Sequence, residues 1–390
     1  MHGASDLPNP SATALAHSDR VREAVLERIA AGDGFLSFAD YMAVVLYAPG
    51  LGYYSAGARK FGSEGDFITA PELGPAFAQC MARFAGATLA ELDGGVILEV
   101  GGGSGAFAAD LLHALRDQPP EHYFLLEVSA DLRERQAATL AARVPELAGR
   151  VSWLDGFPQT PIRGVVLANE VLDALPVERF RLRAGSVWQL GVTAAGGNLQ
   201  WSERPAPEPL REAVTALQAR LHAPLPEGYT SEICLGAEGW LKALLDSVQR
   251  GLVLFIDYGG SRQEIHHPDR ITGTLACHYR HRMHADPFLY PGLQDLTAWV
   301  DFSAVADAAL RAGMEVAAYG TQAHGLLAAG VLEQSGAGMS SGIDGWHGRQ
   351  ELQRLLMPGE MGERFKVLAL ARDFVPGFPL TLRDLRDRLF

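Results

Sequence analysis

The chain is poor in cysteine: Cys80, Cys234 and Cys277 are odd in number, far apart, and form no C-x-x-C pair. That spacing excludes a disulfide framework and a structural zinc ribbon, and it suits a reducing compartment. Long apolar runs are also missing. The best candidates, such as Gly251-Leu-Val-Leu-Phe-Ile256, have the length of a strand and fall well short of the roughly 18 residues a membrane span needs. The first 20 residues hold a single Arg and no apolar core, so neither a secretory signal nor an Arg-rich transit peptide is read there, and a cytoplasmic address follows by default. Basic residues are outnumbered, 33 Lys and Arg against 46 Asp and Glu, for a net charge of −13. Nucleic-acid binding needs clustered cations to displace counterions, so no such partner is expected. A cationic substrate fits this balance better. What remains is a soluble globular composition, 48% apolar and 20% charged, over 390 residues, enough for one enlarged α/β domain or two.

The most informative stretch present is Val96-Ile-Leu-Glu-Val-Gly-Gly-Gly-Ser-Gly105, a short apolar strand running into a glycine cluster and then an amphipathic helix. Glycine can take positive φ and let the backbone lie against a ligand, while the helix N-terminus offers free N–H groups. Gly101, Gly103 and Ala106 also satisfy the dinucleotide fingerprint, with Glu127 about 20 residues on, where a ribose-binding acid is expected. An NAD-dependent oxidoreductase is therefore one reading. Three features favour S-adenosyl-L-methionine. Glu99 stands two residues before the first glycine, where it could meet a cationic amino-acid end; Asp155 follows the third strand; and Asn169-Glu170 follow the fourth. No Tyr-x-x-x-Lys or His/Arg set accompanies the fingerprint, as a dehydrogenase would need.

Along the chain, residues 1–18 are small and polar and read as a disordered tail. A helical cap is expected over 19–95. Val21, Val25 and Ile29 repeat at helical spacing; Ser37-x-x-Asp40 reads as a capping signal, with Pro49-Gly50 ending its helix; and Thr69-Ala-Pro-Glu72 reads as a capping box opening a helix to about Leu92, beyond a loop at 61–68. From Val96 the pattern alternates as a doubly wound parallel sheet demands, with strands at 96–100, 123–128, 151–154, 164–168, 252–257, 314–319 and 365–371. Helices are expected near 105–117 and 130–143, the second capped by Ser129. Residues 177–250 form an insertion between strands four and five, antiparallel strands first and helices after. The fold class is thus α/β, a Rossmann-like seven-stranded sheet over 96–375, the strand number of the class I methyltransferases. A Gly/Ser-rich stretch at 335–345 reads as mobile, and 376–390 as a C-terminal tail.

Five segments in order carry a family resemblance: Asp66-Phe-Ile-Thr-Ala-Pro-Glu72, the Glu99–Gly105 loop, Asn169-Glu170-x-x-Asp173-Ala-Leu-Pro176, Asp257-Tyr-Gly259 and Tyr279-Arg-His-Arg282. Together they resemble the mitochondrial complex I assembly methyltransferases and their bacterial homologues, the mitochondrial dysfunction protein A family, from about Phe35 to Ala371. The resemblance implies S-adenosylmethionine-dependent methylation of a protein arginine, in the mitochondrial case symmetric dimethylation on a complex I core subunit. The chain departs from the family at one point. The family loop is commonly Gly-Pro-Gly followed by Arg, where this chain has Gly101-Gly102-Gly103-Ser104.

The resulting site has Glu99, Gly101, Gly103, Gly105 and Asn169 at the cofactor, Glu127 on its ribose diol and Asp155 toward adenine. Arginine methylation asks the protein to align a guanidinium and accept a proton, which carboxylates do through charge-assisted hydrogen bonds. Glu170 and Asp173, past the fourth strand, are the catalytic candidates, with Asp66 and Glu72 weaker ones that could instead close the cap over the cofactor; Thr69 and Glu72 are assigned to the cofactor site. Cys277-His278-x-x-His281-x-x-His284 lacks a standard zinc spacing and carries Arg280 and Arg282, so it reads as a basic loop and no metal is expected. A non-catalytic assembly chaperone on the same fold is the remaining alternative, opposed by the intact acidic cluster at 169–173.

Overall fold

The computed structural model describes residues 7–55, 69–336 and 343–390. The chain divides into two compact units, one of Ile68–Val171, Glu238–Gly260 and Asp301–Phe390, the other of Met1–Phe67, Leu172–Ala237 and Ser261–Val300.

The first unit is built on the sheet. Its strands are β1 (Val96–Val100), β2 (His122–Leu126), β3 (Val151–Leu154), β4 (Ile162–Asn169), β5 (Val248–Gly260), β6 (Glu315–Thr321) and β7 (Phe365–Arg372), in the spatial order β3-β2-β1-β4-β5-β7-β6. A two-residue strand lies off this path. β1 to β5 pair in parallel, with Leu98 opposite Val166 and Leu254 opposite Leu167. β7 runs antiparallel to both its neighbours. Apolar side chains on both faces are what an internal strand requires, and β5 is buried continuously from Gly251 to Asp257. Helices α1 (Ala76–Glu91), α2 (Ala106–Ala114) and α3 (Ala130–Arg143) follow. Phe77, Met81 and Phe84 of α1 and Leu111 and Leu112 of α2 join Ile97, Leu125, Val165 and Leu254 of the sheet in one core. Each such buried side chain contributes roughly 1.5–3 kcal/mol, so the sheet is well anchored under its loops.

The second unit collects a helix Ala12–Ala31, a helix Phe38–Tyr47 and the antiparallel strands Glu178–Arg183, Ser186–Ala195, Asn198–Pro205 and Thr230–Ile233. Val21, Val25 and Ile29 are buried there beside Phe38, Tyr41 and Met42.

Several boundaries differ from the sequence expectations. The tail expected to residue 18 is already helical at Ala12, because the Ser11 hydroxyl accepts the Ala14 N–H at 3.2 Å and starts the helix early. The cap expected over 19–95 is shared between the two units, and residues 238–250 of the expected insertion belong with the sheet. The helix expected from Thr69 to Leu92 breaks into Ala70–Leu73 and α1, since Pro75 has no N–H to give and restricts Gly74 before it. The strand Thr230–Ile233 was not anticipated. The C-terminal segment is docked on its unit. Leu385 N–H donates to Tyr319 at 2.7 Å, Arg386 donates to the Val316 carbonyl, and Leu380 and Leu389 are buried. The loop at 61–68, with Asp66, and residues 337–342 of the Gly/Ser-rich stretch lie outside the described residues.

Gly164 sits between Val96 and Gly251 in the sheet, and a Cβ on it would lie 1.9 Å from the Val96 carbonyl oxygen. Its φ of +151° is one that side chains rarely adopt. Gly164→Ala is therefore expected to destabilise the protein by about 3 kcal/mol or more, the upper end of overpacking costs, in a denaturant melt. A loss below about 1 kcal/mol would show that these strands can part at no cost.

Candidate active site

The glycine loop leaves β1 at Gly101 and reaches α2 at Gly105, the N-cap of that helix. Gly101, Gly103 and Gly105 all have positive φ, +74°, +51° and +83°. Their constraints differ. A Cβ on Gly105 would lie 2.9 Å from Gln136 Cα, so glycine there lets α2 approach α3; a Cβ on Gly102 would lie 2.6 Å from Leu125 Cδ2. Gly101 faces Val171, whose Cγ2 would be 3.2 Å from an added Cβ.

Around this loop stand the acids. Glu99 is 3% exposed, inside the sheet layer, and accepts the Tyr123 hydroxyl at 2.5 Å. Burial pushes its carboxyl up to about 7, with the Tyr123 hydrogen bond opposing and the Glu127 charge adding. Glu127, just past β2, is also buried, and burial raises its carboxyl. Hydrogen bonds pull the other way: the Ser129 N–H donates at 2.9 Å and the Gln136 amide at 3.2 Å. A carboxylate oxygen accepts more than one hydrogen bond, so Glu127 retains capacity for a diol.

Gln136 does more than hold Glu127. Its Nε2 also donates to the Gly103 carbonyl at 3.0 Å, and its Oε1 accepts the Trp153 indole N–H at 2.8 Å. Arg133, one turn earlier on α3, donates to the Glu127 and Leu154 carbonyls and to Asp155, and so ties the ends of β2 and β3 together. Asp155 has a side chain 95% exposed, and its ion pair with Arg133 is its fixed contact.

At the end of β4, the Asn169 amide donates to Glu170 Oε1 at 3.0 Å. The Asn169 Oδ1 is buried with no hydrogen-bond partner among the described residues. Glu170 has φ +54°, a left-handed conformation unusual for a residue with a side chain and of the kind that collects at functional sites. Its N–H donates to Ile256, and Asp257, 1% exposed, accepts the Val171 N–H at 3.1 Å and the Tyr258 N–H at 2.8 Å, so the strained turn is held from β5. The division between the units falls after Val171, and Asp173 belongs with the other unit. There its carbonyl accepts the Ala298 N–H, and its charge helps raise the Tyr54 hydroxyl, after burial and Asp295.

Thr69 caps the short helix Ala70–Leu73 without a side-chain bond, so the expected capping box does not form. Glu72 instead accepts the Ser104 hydroxyl, because a four-residue helix leaves its carboxylate beside the glycine loop. Residues Ala276–Tyr279 and Arg282–His284 make a hairpin whose two connecting residues, Arg280 and His281, both have positive φ. Burial, then the charge of His284, holds His278 down to about 4, and among the described residues no group of three His, Cys, Asp or Glu is disposed to hold a metal.

Sequence reasoning missed Gln136, Tyr123 and Arg133, and gave Asp257 no role beyond its place in the family resemblance. Gln136 had a legible signal: it occupies the buried stripe Leu132–Gln136–Leu140 of α3, where a polar residue needs partners.

An α/β sheet with an antiparallel seventh strand, and a glycine cradle flanked by buried acids at its carboxyl ends, defines the class I methyltransferases. Residues 77–320 match the model of a family of S-adenosyl-L-methionine-dependent methyltransferases, and the chain belongs to that family. It is 29% identical over 380 residues to the protein arginine methyltransferase NDUFAF7 homolog of Drosophila melanogaster, covering 86% of this chain and 82% of the relative. The mouse protein arginine methyltransferase NDUFAF7 is 29% identical over 69% of this chain and 65% of its own length. A COG1565 superfamily member from Burkholderia thailandensis, crystallised with S-adenosyl-homocysteine, superposes with a TM-score of 0.88 and 39% identity over 95% of this chain and 97% of that one. The residues present suit the cofactor: a glycine turn with positive φ at Gly101, Gly103 and Gly105, an unpartnered Asn169 oxygen and two buried acids. The chain is an S-adenosylmethionine-dependent methyltransferase.

The raised carboxyl of Glu99 fixes a pH dependence. A group whose folded pKa lies above its ordinary value, here 4.5, contributes stability that is full below that value and lost as pH rises through about 7. Glu99→Gln keeps an acceptor for Tyr123 and cannot ionise. The melting temperature of the variant should gain on the natural protein between pH 4.5 and pH 8; a difference that does not change with pH would contradict a buried, raised Glu99.

Proposed function

We propose that this enzyme methylates an arginine side chain of a protein, with a subunit of a respiratory NADH:quinone oxidoreductase as the substrate class and the cytoplasm as its place of action. The observation that carries the reading is the strained turn at Glu170, whose neighbour Val171 sets its side chain against Gly101 of the glycine loop. A carboxylate just past β4, held by a neighbouring amide, is suited to a cationic, multiply donating substrate. The names of the Drosophila and mouse relatives, protein arginine methyltransferases, and the five-segment resemblance support the same substrate.

When bound, S-adenosylmethionine supplies a methyl group activated by a sulfonium. Glu99 and Asn169 would hold its amino-acid end, Glu127 its ribose, Asp155 its adenine, and the backbone of the glycine loop would lie along it. Glu170 accepts N–H groups of the guanidinium, aims one nitrogen and draws off the proton which that nitrogen sheds as it gains a carbon. The Asn169 amide donates to Glu170 and orients its carboxylate for this.

Glu170→Gln keeps the size of the side chain and removes the charge. With a respiratory-complex subunit and isotope-labelled cofactor, turnover should fall by about 100-fold or more while S-adenosyl-homocysteine affinity stays within a few-fold, the signature of an interaction made mainly in the transition state. Full activity would remove Glu170 from the chemistry, and lost cofactor affinity would move it into the cofactor shell.

A further inference from the structure

We propose that Gln136 is a positioning residue for the cofactor, setting its affinity by presenting Glu127 and fixing the glycine turn at Gly103. This rests on the reading of Glu127 as the ribose acid. The side chain is fully buried, and every polar position on it is used: Nε2 donates to the Gly103 carbonyl at 3.0 Å and to Glu127 Oε2 at 3.2 Å, and Oε1 accepts from Trp153 at 2.8 Å. The Trp153 indole is a donor only, so it fixes which end of the amide faces it and leaves both amide hydrogens for the loop and the acid. Backbone N–H groups could not do this from α3, whose own ladder uses them. A residue without donors would leave Glu127 with backbone N–H groups and the Arg133 charge against its burial, and no side-chain hydrogen bond to aim it. Thr139, one turn on, donates to the Ser104 carbonyl at 2.8 Å, so the same face of α3 holds the loop at two successive carbonyls.

The test uses S-adenosyl-homocysteine as the calorimetric probe and the isosteric Gln136→Glu. Two carboxyls in hydrogen-bond contact share one proton, and that proton restores the donor to Glu127 but not the one to the Gly103 carbonyl. Affinity relative to the natural protein should be lower by a few-fold at pH 5.5, where only the Gly103 contact is lost, and lower by about a further tenfold or more at pH 8. Adding Glu127→Gln should abolish that pH dependence. A purely structural role predicts the same ratio at every pH, and that result would overturn the proposal, as would a pH dependence that survives in the double variant. Glu127→Gln alone separates the two ideas: unchanged affinity would show that Glu127 does not hold the ribose. If Gln136→Glu does not fold, Trp153→Phe releases the amide to turn without adding charge. A several-fold loss of affinity is expected, and an unchanged affinity would overturn the proposal.

Discussion

The site depends on one constraint: a carboxylate cannot stay charged at the end of a buried strand unless hydrogen bonds replace the water it has lost. Glu127 meets that constraint through the Ser129 N–H and the Gln136 amide. Hydrogen bonds to a charged group are worth about 1.5–3 kcal/mol each, enough to oppose the burial that raises its carboxyl. Because Gln136 also holds the Gly103 carbonyl, satisfying the acid and shaping the glycine turn are the same event. α3 must therefore approach the loop closely, and this is where glycine at 105 becomes obligatory.

A second, separate device holds the reacting end. The left-handed turn at Glu170 costs on the order of 1–3 kcal/mol, and it persists because β5 holds it from behind. Asp257 accepts the N–H groups on either side of the crossing between β4 and β5, Val171 and Tyr258, while Ile256 takes that of Glu170. The two devices use different strands, so cofactor affinity and turnover can be lost independently.

The strands and the glycine loop were legible because their signals are local. β1 and β3 have the expected bounds, Ser129 caps α3, and the insertion opens with antiparallel strands. Boundaries set by single side chains were less so: Ser11 advances the first helix by seven residues relative to the expected tail, and Gly74-Pro75 breaks another. The partners of the site were mostly hidden, because they are made across the sheet. That Glu99 would meet Tyr123, or Glu72 meet Ser104, follows from register and packing and from nothing in the neighbouring sequence. Gln136 is the exception, a polar residue in an apolar helical stripe whose position alone announces a buried role.

The most direct test of this account is a crystal structure with S-adenosyl-homocysteine bound. The account predicts the ribose hydroxyls donating to Glu127, the amino-acid end at Glu99 and Asn169, and the Gln136 contacts to Gly103, Glu127 and Trp153 unchanged. A ligand seated away from the glycine loop, or one that leaves Glu127 with no contact beyond Ser129 and Gln136, would contradict it.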